Sequence, residues 1–206
     1  MTFTEVQKTV QTLGLDVIGV VEGTILLLGP NAVFWDIFQN SAEYQDGKAD
    51  PIDRWSLRVI TQLAERLHAT PEFPFGGPPY APFLDWALKS GRAWQSPVGM
   101  LVHDQLGLMV SFRGALRFAD AIDAPLSDAE RPCDSCIDRP CLTACPVGAL
   151  TAEGYDTASC ADHLRVKEGA ACLNGCLVRR ACPYSEGAHR QDAQNQLHMK
   201  AFVGER

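Results

Sequence analysis

Apolar residues fall in alternating rhythms along the first third of the chain. Val6, Val10 and Leu13 recur at helical spacing and Gly14 follows, which predicts an opening helix over residues 4–13. The runs Asp16–Val21 and Thr24–Leu28 are rich in β-formers and are separated by Glu22-Gly23, the pattern of a tight hairpin. Val33, Phe34, Ile37 and Phe38 make residues 30–39 an amphipathic helix. Trp55, Val59, Ile60, Leu63 and Leu67 form the stripe of a longer helix, for which Asp53 is the expected N-cap.

From Thr70 to Pro82 five prolines and two glycines break both rhythms, predicting a loop tethered by Phe73, Phe75 and Tyr80. Residues 82–90 read as a short helix closed by Gly91. Gly99–His103 and Leu108–Phe112 read as a second β pair around Asp104-Gln105-Leu106-Gly107. The expected organisation is a mixed α/β domain over 1–120, an Asp-, Pro- and Ala-rich linker over 121–131, a loop-rich domain over 132–187 and a polar tail helix over 188–206. The fold class is therefore α+β.

Composition changes this picture at one point only. Eight cysteines all lie between Cys133 and Cys182, and the first 132 residues contain none. Lys and Arg number 18 against 25 Asp and Glu, so the net charge is 18 − 25 = −7, a poor match for a polyphosphate partner; no nucleic-acid partner is expected. Met1–Gly14 carries Glu5 and Lys8 with no apolar run of signal-peptide type. The most apolar stretches, Asp16–Val21 and Thr24–Gly29, are far shorter than the roughly 20 residues of a membrane helix, so no membrane association is expected. A cytoplasmic location follows as the expectation. Thiols stay reduced there, so a dense cysteine cluster points to metal or redox chemistry and away from a disulfide scaffold.

The cysteine spacing is Cys133-x2-Cys136-x4-Cys141-x3-Cys145-Pro146, continuing to Cys160, Cys172, Cys176 and Cys182-Pro183. Two four-iron clusters need eight thiolates, and the bacterial ferredoxin run C-x2-C-x2-C-x3-C-P lends its fourth cysteine to the other cluster. Here that run recurs with two extra residues, Arg139-Pro140, before the third ligand. Crossing over assigns Cys133, Cys136, Cys141 and Cys182 to one 4Fe-4S cluster and Cys145, Cys160, Cys172 and Cys176 to the other. Two zinc sites are the alternative. Zinc would use Cys133/Cys136 and Cys172/Cys176 as hooks but leave the Cys-Pro steps at Cys145 and Cys182 unexplained.

The cysteine window resembles the two-cluster ferredoxin module of epoxyqueuosine reductases and reductive dehalogenases, in which it is fused to a cobalamin-binding domain of nitroreductase-like architecture. Ser90-Gly91-Arg92-Ala93-Trp94, Ser96-Pro97-Val98-Gly99-Met100-Leu101-Val102-His103 and Arg113-Gly114-Ala115-Leu116 are similar to the corresponding stretch of epoxyqueuosine reductase. With Phe73-Pro74-Phe75 and Pro82-Phe83-x2-Trp86-Ala87, they also resemble the type C cobalamin-processing proteins, which dealkylate and decyanate vitamin B12. The matches cover roughly residues 25–185.

The resemblance implies a nitroreductase-like corrinoid domain over 1–120 followed by a small two-cluster ferredoxin-like domain. It implies cobalamin as a further cofactor, with flavin the lesser option. Ser96, Gly99 and His103 are the positions it offers for cofactor binding, against the plainer reading of His103 as a surface residue capping a turn. Three departures bear on it. No carboxylate stands in Phe75-Gly76-Gly77-Pro78-Pro79, where the catalytic aspartate of epoxyqueuosine reductase is expected. The chain ends at Arg206 without the helical extension of the tRNA enzyme, and no twin-arginine export signal of dehalogenase type precedes it.

Arg113 and Arg117 are further candidates for holding phosphate or propionamide groups, whereas the four tryptophans read as core and His189 and His198 as solvated. No phosphate loop, G-x-S-x-G elbow or H-E-x-x-H pair is present, so hydrolase chemistry has no support. The expected function is electron transfer by an iron–sulfur protein, reducing a bound corrinoid or removing its upper ligand. The alternatives are a plain ferredoxin-type carrier docking a partner enzyme, and a flavin-dependent reductase. The expected partners are an external electron donor of reductase or flavodoxin-like type and a small-molecule or corrinoid substrate.

Overall fold

The computed structural model describes residues 2–125 and 127–204. Met1, Leu126, Glu205 and Arg206 lie outside the described residues, and with them the first position of the expected α/β domain, one position of the expected linker and the end of the expected tail helix. The fold is mixed α+β, 43% helix and 14% strand, the class expected from the alternating rhythms.

Helix α1 (Phe3–Gln11) starts at Thr2, whose hydroxyl accepts from the Glu5 amide while the Glu5 carboxylate accepts from the Thr2 amide. This reciprocal cap satisfies two amides that the helix itself cannot. Val6 and Val10 face inward, fully buried. Strands β1 (Leu15–Val21) and β2 (Ile25–Pro30) pair antiparallel as expected. Both residues of the Glu22-Gly23 turn have positive φ, 52° and 68°, the geometry that matches the twist of a hairpin.

Helices α2 (Phe34–Gln39) and α3 (Ala42–Gln45) precede α4 (Pro51–Leu67). Asp53 is not the N-cap of α4: the helix begins two residues earlier at Pro51, whose missing amide is no loss in the first turn. Its expected stripe is correct, with Trp55, Val59, Ile60, Leu63 and Leu67 all buried. The proline-rich stretch is not wholly loop, because strand β3 (Thr70–Glu72) lies within it. The Phe73 and Phe75 rings lie tilted against each other at 5.3 Å, but Tyr80 is 65% exposed and tethers nothing. Helix α5 (Phe83–Lys89) buries Phe83, Trp86 and Ala87.

The chain then forms β4 (Ala93–Gln95) and β5 (Leu101–His103), which pair antiparallel, and later β6 (Gly114–Arg117). The expected pairing of Gly99–His103 with Leu108–Phe112 is thus replaced. A turn in which the Gly99 amide donates to the Ser96 carbonyl brings Leu101–His103 against the preceding residues instead. Strand β6 enters the main sheet, of order β1-β2-β6-β3. Leu26, Leu27 and Leu28 on the interior strand β2 are fully buried, and each contributes about 2 kcal/mol of apolar burial.

The chain divides into two compact units, Met1–Arg92 with Ser111–Ala129, and Ala93–Val110 with Glu130–Arg206. The division differs from the expected boundary at residue 120, since the β4–β5 hairpin belongs to the cysteine-bearing unit. Within the first unit, Ile122 donates its amide to the Gly23 carbonyl, so the start of the expected linker is fastened to the hairpin turn.

The second unit is built from short pieces: α6 (Pro132–Ser135), α7 (Thr157–Leu164), α8 (Ala170–Leu173), α9 (Leu177–Ala181) and α10 (Asp192–Phe202). Its core gathers Val98, Val102, Leu108, Leu150 and Val178 with Cys141 and Cys182. The tail segment is helical only over α10, and that helix is not a purely solvated one: Gln194 and Asn195 are buried.

Candidate metal centres

Several short elements of the second unit deliver the cysteines. Cys133 lies in α6 with Cys136 just after it, Cys141 in a single 3-10 turn over Pro140–Leu142, Cys160 in α7 and Cys172 in α8. Pro132, Pro140 and Pro183 open the turns beside Cys133, Cys141 and Cys182, fixing φ where the chain changes direction. Helix α9 has Cys176 at its N-terminal boundary and Cys182 at its C-terminal one. Six residues of helical rise separate these two by about 9 Å.

Two hollows result. Cys133, Cys136, Cys141 and Cys182 line the first, together with Ser96, Val102 and Leu108. Cys145, Cys160, Cys172 and Cys176 line the second, together with Leu150, Leu164 and Val178. Each is a small hollow partly open to solvent. Cys141, Cys172 and Cys182 are buried, the other five are half-buried, and all eight are free thiols.

The electrostatics follow the same grouping. Burial pushes the Cys133 and Cys141 thiols up, and the charges of their own group push them further; Arg131 opposes this at Cys133. Burial likewise raises Cys160 and Cys172, again with Cys145 and Cys176 adding to the effect. Four thiolates penned together repel one another, so each set is stable as thiolates only around a cationic centre. Among the described residues no group of three or more His, Cys, Asp or Glu is arranged to hold a metal ion. A tetrahedral zinc site needs sulfurs only about 3.8 Å apart, converging on one atom.

The second hollow carries a donor. The Ala149 amide donates to Cys145 Sγ at 3.2 Å. Tyr155 acts electrostatically on Cys160, and the Arg179 guanidinium on Cys176. Tyr155 is held by a bridge to Leu150 and by stacking on Phe202 at 6.0 Å. Burial foremost, and the Cys160 sulfur next, push its phenol well above the usual range. Burial pulls Arg179 down, against the opposing pull of Cys176.

Ser96, Gly99 and His103 stand in different settings within the second unit. Ser96 is buried against the first hollow, and its hydroxyl has no hydrogen-bond partner. Gly99 has φ 75°, and a Cβ there would stand 3.0 Å from the Thr151 carbonyl oxygen. His103 is buried rather than at the surface, although it does cap its turn: Nδ1 accepts from the Gln105 and Leu106 amides at 3.1 and 3.3 Å.

Arg117 pairs with Glu72 and lies 5.2 Å over the Trp86 ring, and Arg113 is 3.7 Å from Asp53. Both arginines thus serve the first unit internally. Tyr155, Arg179 and the hollow-facing role of Ser96 were not foreseen. The hydroxyls had no signal in sequence, whereas Arg179 stands three residues after a ligand cysteine. No family model, no curated protein and no solved structure matches the chain. Among the described residues no helix is long and apolar enough to cross a membrane.

Proposed function

We propose that the protein is an iron–sulfur electron carrier holding two four-iron clusters, on Cys133, Cys136, Cys141 and Cys182 and on Cys145, Cys160, Cys172 and Cys176. The observation that supports the reading is that eight free thiols line two hollows, four to each. When bound, such clusters supply one-electron transfer at low potential. The chain's own contribution is position and environment. The proline-opened turns fix the thiols, Val102, Leu108, Leu150 and Val178 wall the hollows against water, and donors to sulfur favour added negative charge. Helix α9, with one ligand at each end, keeps the two centres within short range of each other.

The acceptor we propose is a corrinoid, and only the resemblance of residues 73–116 to cobalamin-processing proteins and epoxyqueuosine reductases supports it. A plain carrier that passes electrons to a partner enzyme is the second reading. It is favoured by the packing of Ala93–Val110, which holds Ala93-Trp94 and Ser96–His103 of that resemblance, into the cysteine-bearing unit, where the His103 ring already caps its own turn. Titration of the cluster-loaded protein with hydroxocobalamin separates the two. A shift in the corrin absorption at micromolar concentrations supports cobalamin reduction, and an unchanged spectrum leaves the carrier.

A further inference from the structure

Pro97, Pro132, Pro140 and Pro183 line the hollow that holds Cys133, Cys136, Cys141 and Cys182. A proline has no amide to donate, so much of this wall offers sulfur no main-chain hydrogen bond. Apart from the cysteines, the polar side chains of the lining are Ser96, Arg139 and Tyr184. The Tyr184 hydroxyl is already paired with the Ser135 hydroxyl at 2.9 Å. Arg139 is exposed, so solvent screens its charge. Ser96 alone of the three is buried, 5% exposed, and its Oγ has no hydrogen-bond partner.

The main chain fixes where that hydroxyl stands. The Ser96 amide donates to the Met100 carbonyl at 2.8 Å, and the Ser96 carbonyl accepts from the Gly99 amide at 3.0 Å, in a turn that Gly99 closes with φ 75°. Both backbone groups are engaged inside the β4–β5 hairpin, and the hydroxyl is the donor that Ser96 has left. A buried hydroxyl without a partner costs stability, and the acceptors this hollow can offer it are sulfurs. Resting on the two-cluster reading above, we propose that the Ser96 hydroxyl donates a hydrogen bond to a sulfur of the centre on Cys133, Cys136, Cys141 and Cys182. Ser96 is thus a positioning residue that acts through sulfur; no covalent bond forms or breaks. A hydrogen bond to sulfur stabilises the more negative, reduced state of an iron–sulfur centre, so this one raises its potential.

The experiment compares the full wild-type chain with S96A, S96T and R139Q after anaerobic cluster assembly. It combines a dithionite redox titration with electron–nuclear double resonance in light and heavy water. S96A should still hold about eight iron, move one reduction wave to lower potential, leave the other in place and lose one exchangeable proton coupling. S96T, which retains the hydroxyl, and R139Q, which alters only the exposed cation, should both keep that proton. An S96A chain whose waves and proton couplings match the wild type overturns the inference while the two-cluster reading stands. Should S96A fill only one centre, S96T decides: a retained proton and wave support the hydrogen bond, and their loss overturns it. A wild-type chain that carries zinc and no labile sulfide overturns both.

Discussion

The Leu108 amide donates to the Ser185 hydroxyl at 3.1 Å, and both residues are buried. Next to this bond, Gly107 has φ 53° and its backbone is seated so close to the Ser185 amide that a Cβ would overlap it. The β4–β5 hairpin is thereby locked to the turn that follows Cys182. S185A leaves a buried amide unpaired and should cost about 1–3 kcal/mol in urea unfolding. G107A adds backbone strain and a steric clash, so it should cost more than S185A. Equal stability of G107A and the wild type would contradict the lock.

In the first unit the aromatic cluster sets the stability. Trp55 is 2% exposed, with its ring 5.1 Å from Phe34 and 6.2 Å from Phe38, both edge to face. W55A should cost about 3–5 kcal/mol, read from the unfolding of the sheet-bearing unit. A loss below about 1 kcal/mol would mean that the cluster is not the core of that unit.

Glu43 gives the same unit an acid-sensitive contact. Its carboxylate accepts from Arg58 at 2.6 and 3.0 Å, and this pairing holds its pKa down at about 2, from an ordinary 4.5. A depressed carboxylate stabilises fully above its unfolded value and loses that contribution as pH falls through its folded one. Stability should therefore decline between pH 4.5 and about 2. Arg58 is 45% exposed, so solvent screening limits the contribution to about 1 kcal/mol. E43Q should remove that amount at neutral pH and flatten this part of the acid profile. An unchanged acid profile in E43Q would assign the decline to other groups.

The crossed division of thiols makes paired expectations for serine substitutions. C182S should release about four iron atoms from the centre that includes Cys133, and C176S about four from the other, although the two residues bound the same short helix. Electron paramagnetic resonance of each variant should retain the signal of the opposite centre. Loss of the same signal in both variants would rule out the crossing.

What sequence revealed and what it hid have physical causes. The β1–β2 hairpin was legible because Glu22-Gly23 interrupts two β-rich runs, and α4 because its stripe spans four turns. Strand β6 was hidden because Gly114-Ala115-Leu116-Arg117 contains no β-branched residue, and β3 because Pro71 sits inside it, tolerated at a sheet edge. For dividing the thiols, sequence offered the Cys-Pro steps at Cys145 and Cys182. Ser96 reaches the first hollow through tertiary packing, which no local spacing encodes. The unit boundary was hidden for the same reason: Gly107 against Ser185 is a contact across most of the cysteine window.

The most direct measurement is the metal and sulfide content of the anaerobically purified chain. Two four-iron clusters require about eight iron and about eight acid-labile sulfide per chain, in a brown protein that bleaches on reduction. A colourless protein carrying about two zinc ions and no sulfide would falsify the account and assign the same eight cysteines to zinc.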